Sequence, residues 1–95
     1  MKVKIDLVTF YSRGDENRLF QGLNDIPAIT DIIGVGRSLV LKIDARVLNN
    51  DMLRELIALL WRYGIALHPI NILCKKKKFV WISDEKFYWH QSMFN

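Results

Sequence analysis

Two runs of β-forming residues, Ile29 to Val35 and Ser38 to Asp44, are separated by only two residues, Gly36 and Arg37. That spacing turns the chain straight back on itself, and glycine at the first central position suits a type II′ turn. The turn length sets the register, so Asp31 falls opposite Lys42 and Ile33 opposite Val40 on one side of the sheet. Leu39, Leu41, Ile43, Ile32 and Thr30 fall on the other side. Opposite charges facing each other across the strands agree with this register. A chain carrying this hairpin builds an antiparallel sheet.

Other segments attach to it. Val3, Ile5 and Leu7 alternate with Lys4 and Asp6, the period of a half-buried strand, and Val8 and Phe10 continue on the opposite face. Ser12 or Asp15 can cap a short helix carrying Leu19, Phe20, Leu23 and Ile26, which must end before Pro27. Asn50 or Asn49 can cap a longer helix over about Asp51 to Tyr63. Its apolar face is Met52, Leu53, Leu56, Ile57, Leu60 and Tyr63, and its wet side is Arg54, Glu55, Ala58 and Arg62. Gly64 is a natural stop.

Beyond Gly64, Ile65 to Cys74 and Phe79 to Ile82 have the β-branched and aromatic composition of strands, with Pro69 placing the first at an edge or bulge. The lysines between them then form a hairpin tip. Ser83 or Asp84 can cap a last short helix with Phe87, Tyr88, Trp89, Met93 and Phe94. The expected architecture is α+β, a ferredoxin-like βαββαβ antiparallel sheet with helices on one face, plus an appended C-terminal strand and short helix. The helices would cover Val3, Ile5, Leu7, Leu39, Leu41 and Ile43. Val8, Phe10, Ile33 and Val40 would lie on the open face, where the aromatic C-terminal segment is expected to cover them.

Ninety-five residues suffice for a single domain, 1–95, with one modest core. With 51% hydrophobic and 25% charged residues, disorder is excluded. The net charge of +4 is local: without Lys75 to Lys78, ten basic residues balance ten acidic ones. The N-terminus lacks the apolar centre of a signal peptide, and the longest apolar run, Leu56 to Trp61, is far short of the roughly 20 residues of a membrane span. One free thiol fits a reducing compartment, so the expectation is a cytoplasmic protein with no membrane partner.

The residues offer little chemistry. Cys74 lies beside the lysines, but along a straight strand His68 is about 20 Å away, too far to act as its base. Two His and one Cys without paired spacing argue against a metal site. Gly34-Val35-Gly36 leads into a strand and not into a helix, so it is no nucleotide fingerprint. The third strand has no aromatic residue, unlike an RNA-recognition domain. His90, with nearby cations, leaves a small metal-free ribonuclease as the weakest of the readings. The expectation is therefore a non-enzyme with no cofactor, no catalytic residues and no metal.

Two features point to binding. Lys75, Lys76, Lys77 and Lys78 form a patch suited to an acidic protein surface, to nucleic acid with Phe79 and Trp81 alongside, or simply to a solvated tip that protects a sheet edge from aggregation. Trp81, Tyr88 and Trp89 are of the residue types enriched among interface anchors, although core packing is the commoner use of aromatic residues. In general character the chain is similar to bacterial immunity proteins and antitoxins: small, compact, without a catalytic set, and with aromatic anchors beside a charge patch. The resemblance implies an inhibitor that blocks a partner protein, such as a toxin domain with an acidic patch, by surface complementarity. Nucleic-acid binding through the lysines is the alternative, and the open sheet face offers a site for a homodimer.

Overall fold

In the computed structural model, which describes residues 1–95, the hairpin forms two of three strands. β1 is Lys2–Asp6, β2 is Ile29–Val35 and β3 is Ser38–Ile43, in the antiparallel order β1-β3-β2. Asp31 lies opposite Lys42 and Ile33 opposite Val40, as the two-residue turn requires. Gly36 has a φ of +59° while Arg37 does not have a positive φ, so only the first central residue is left-handed, the signature of type II′. On the other side of β3, Val3 pairs with Leu41 and Ile5 with Leu39.

Helix α1 spans Arg13–Asn24 and α2 spans Asn50–Arg62. The Ser12 hydroxyl accepts from the Asp15 amide at 3.1 Å, and the Asn49 carboxamide oxygen accepts from the Met52 amide at 2.8 Å. Each side chain satisfies a donor that the first helical turn leaves free. Gly64, at φ +70°, ends the second helix where the sequence placed the stop. Where the helices meet, a Cβ on Gly22 would come within 2.8 Å of Leu59 Cδ2, so glycine permits their close approach. Leu19 and Leu23 of α1 and Leu53, Leu56, Ile57 and Leu60 of α2 are buried with Val3, Ile5, Leu39, Leu41 and Ile43 in one cluster of 23 residues.

After α2 the expected strands do not form. His68–Lys75 and Lys77–Ser83 are 3₁₀ helices, with Lys76 extended between them. The ferredoxin-like order therefore stops after βαββα, and the lysine run is a helix junction instead of a hairpin tip. The physical reason lies in the spacing. Leu67, Ile70, Leu73, Phe79 and Ile82 are all buried and fall at multiples of three, and a 3₁₀ helix has three residues per turn. A strand would put Leu67, Leu73 and Phe79 on one face and Ile70 and Ile82 on the other. Pro69 sits in the first turn, where its missing N–H costs nothing. The final helix, α3, is His90–Phe94, shorter and later than Ser83 or Asp84 would have started it.

The C-terminal segment also does not cover the open sheet face. Its buried residues, Phe79, Ile82, Trp89 and Met93, join the cluster on the helical side. On the other side of the sheet, Ile33 and Val35 remain 39% and 51% exposed. No helix is long and apolar enough to cross a membrane.

Candidate protein-binding face

The basic run is divided by its surroundings. All four lysines are exposed, and none is in an ion pair. Lys78 is different: its ammonium donates to the carbonyl oxygens of Ala45 at 3.0 Å and Leu48 at 2.9 Å, and it lies 4.9 Å from the Phe79 ring centroid. It ties the second 3₁₀ helix to the loop between β3 and α2. Three lysines, not four, are free to meet a partner.

The aromatic residues sort in the same way. Trp89 is buried, and its indole N–H donates to the Ile82 carbonyl at 3.0 Å. A buried ring with its polar atom satisfied is core, so Trp89 is corrected from surface anchor to support. Its ring stacks on Phe87 at 4.2 Å and 7° and meets Tyr88 edge-on at 4.9 Å. Trp81 is half-buried; its N–H donates to Asn50 Oδ1 at 2.9 Å, and the Arg54 guanidinium lies 4.6 Å from its ring centroid. Tyr88 is exposed.

What the sequence reading missed is Trp61. It lies on α2 two turns after Arg54, on the same side of the helix. Trp61 and Tyr88 meet edge-to-face with centroids 5.1 Å apart, and they keep 47% and 53% of their surface exposed. Arg54 and Trp81 at one end and Tyr88 and Trp61 at the other are thus joined by ring contacts through buried Trp89, a ridge whose middle is core. The available signal was that Trp61 falls outside the apolar face of that helix.

The remaining chemistry is weak. His90 Nδ1 is buried without a hydrogen-bond partner, and the ring lies 5.2 Å from Phe94, with no second titratable group arranged beside it. His68 and Cys74 share a 3₁₀ helix, where six residues at about 2.0 Å each keep them about 12 Å apart. That is closer than a strand would place them and still outside hydrogen-bond reach. Cys74 is half-buried against the core. No group of three His, Cys, Asp or Glu is placed to hold a metal ion. The largest groove, about 580 Å³, includes Phe10, Arg18, Leu59, Arg62 and Tyr63 in its lining. Two pairs of its polar groups satisfy one another, Arg18 with Asp15 at 3.1 Å and Gln21 with Asp25 at 2.8 Å.

Comparison with known protein families, with curated proteins and with solved structures finds no match for this chain.

Proposed function

We propose that the chain is a cytoplasmic protein-binding module, most concretely an inhibitor of the immunity or antitoxin kind that occludes a partner protein. The observation that carries this reading is the exposed Trp61–Tyr88 pair held over buried Trp89. Tryptophan, tyrosine and arginine are the residues that most often dominate binding energy, and Arg54 continues the same ridge. Rings fixed before the encounter lose little side-chain freedom on binding. Lys75, Lys76 and Lys77 supply a local positive field that steers an acidic partner toward the ridge.

Nucleic-acid binding through the lysines is the competing reading. With Lys78 occupied, three phosphate contacts remain, and affinity would fall about 40-fold between about 50 and 200 mM salt. Capture of a partner from the native host, followed by titration of that partner's activity, tests the proposal. Stoichiometric loss of the partner's activity, abolished by Tyr88→Ala and only slowed by serine at Lys75, Lys76 and Lys77, is the expected result. Micromolar, salt-sensitive binding of single-stranded RNA or duplex DNA that disappears with the three lysines would replace it.

A further inference from the structure

The two edges of the sheet are protected unequally. β1 carries Lys2, Lys4 and Asp6, three charges in five residues. Charged residues and covering segments are the usual ways to stop a strand edge from pairing with another chain. β2, at the other edge, has seven residues, no lysine, no proline and one charge, Asp31.

Backbone directions follow from the bonds around β3. The Ile43 amide donates to the Met1 carbonyl and the Leu7 amide to the Arg37 carbonyl, so odd positions along β3 face β1. The Asp44 amide donates to Ala28, on the β2 side. By the antiparallel alternation, Ser38, Val40 and Lys42 face Val35, Ile33 and Asp31, and the peptide groups of Ile32 and Gly34 point off the sheet. One of these outward donors is already engaged, because the Asp31 carboxylate accepts from the Ile32 amide at 2.9 Å.

We propose that this edge is a homodimerisation site at which β2 pairs antiparallel with β2 of a second copy, about a two-fold axis at Ile33. This proposal is independent of the ridge and its function. The register uses both outward residues, with Ile32 of each copy opposite Gly34 of the other. It also sets Ile33 against Ile33 on the open face. The row Lys4–Val40–Ile33, which now ends at the free edge, becomes a row across six strands whose four central members are apolar and whose ends are lysines. Charge does not oppose the approach: the cations of the sheet lie on β1 and β3, and the two Asp31 side chains are kept about 13 Å apart along the strands. Asp31 acts as a latch, since its carboxylate must leave the Ile32 amide before the strands join. A contact of this size belongs to the weak, transient class, so the dimer forms only at high concentration.

Sedimentation of the full chain from about 10 µM to about 1 mM, with dissociation in the upper part of that range, is the test. Gly34→Pro removes an outward donor, costs no bond to β3, and adds atoms where a Cβ meets nothing within 4 Å. It is expected to stay monomeric throughout with unchanged circular dichroism, while Asp31→Ala tightens the dimer about fivefold. Amide exchange on the unaltered protein gives a second readout: Gly34 should become protected as concentration rises. A monomer at every concentration, a dimer undiminished by Gly34→Pro, or Gly34 exchange independent of concentration would each overturn the proposal.

Discussion

The ammonium of Lys78 donates to the carbonyl oxygen of Leu48 at 2.9 Å, across thirty residues of chain. Its second bond, to Ala45, closes the same loop. One lysine of an apparently uniform run is therefore a fastener between the segment after α2 and the loop before it. Its neighbours are solvated.

Replacing Lys78 with methionine leaves the carbonyls of Ala45 and Leu48 without their charged donor. Because Lys78 is exposed and water can reach the Ala45 carbonyl, a loss of about 0.5–1.5 kcal/mol is expected. Serine at Lys76, which is exposed, should change stability by less than about 0.5 kcal/mol. Urea unfolding of the two variants checks the contrast.

Adjacent aromatic residues should separate binding from stability. Trp89→Phe leaves the Ile82 carbonyl unpartnered and a void beneath the ridge, for a cost of about 2–4 kcal/mol. Tyr88→Ala, at an exposed ring, should cost no more than about 1 kcal/mol in unfolding while removing about 2 kcal/mol or more of partner binding. Chemical denaturation and calorimetric titration against the captured partner read the two effects.

Gly22→Ala brings two opposing effects into one substitution. Alanine favours the helix by about 1 kcal/mol, but its methyl meets Leu59 Cδ2 at 2.8 Å. The net change should stay within about 1 kcal/mol of zero. In a Leu59→Ala background the obstruction is gone, and Gly22→Ala should stabilise by about 0.5–1 kcal/mol. A double-mutant cycle measures this reversal.

Asp44 accepts from the Arg46 backbone amide at 3.0 Å, and this bond, with the nearby Arg46 guanidinium, holds its carboxyl below the usual carboxylate range. The folded value lies below the unfolded one, so the ionised form favours folding. Its contribution is complete above the ordinary range and disappears as pH falls through the folded value. NMR titration should find Asp44 ionising below an ordinary aspartate, and Asp44→Asn should reduce the acid loss of stability.

Most of the first two-thirds of the chain is legible because its determinants are local. Gly36-Arg37 sets the register of β2 and β3, Asn49 starts α2, and Gly64 stops it. But β1 stops at Asp6, and Val8 and Phe10, expected on the open face, pack against the core, with Phe10 edge-on to Tyr63. The last third was misread because β-branched and aromatic residues suggested strands, while the spacing of Leu67, Ile70, Leu73, Phe79 and Ile82 carried the true period. The division of the site was less accessible. Whether Tyr88 or Trp89 turns inward depends on how an irregular segment meets Trp61 and Trp81. The role of Lys78 depends on carbonyls 30 and 33 positions away.

Because the two 3₁₀ helices join no sheet ladder, the C-terminal third is held to the rest by its apolar stripe and a few tethers. These include the Lys78 ammonium on Leu48 and the Trp81 indole on Asn50. Segments outside a sheet ladder can open as cooperative units below the free energy of global unfolding, although here eight buried residues of the segment, Ile65 to Met93, belong to the shared core and oppose it. Were this unit to lift away, it would carry Tyr88 from Trp61 and break the ring contact between them. A partner bound across Trp61 and Tyr88 acts as a splint on that hinge, suppressing the opening in proportion to its own affinity.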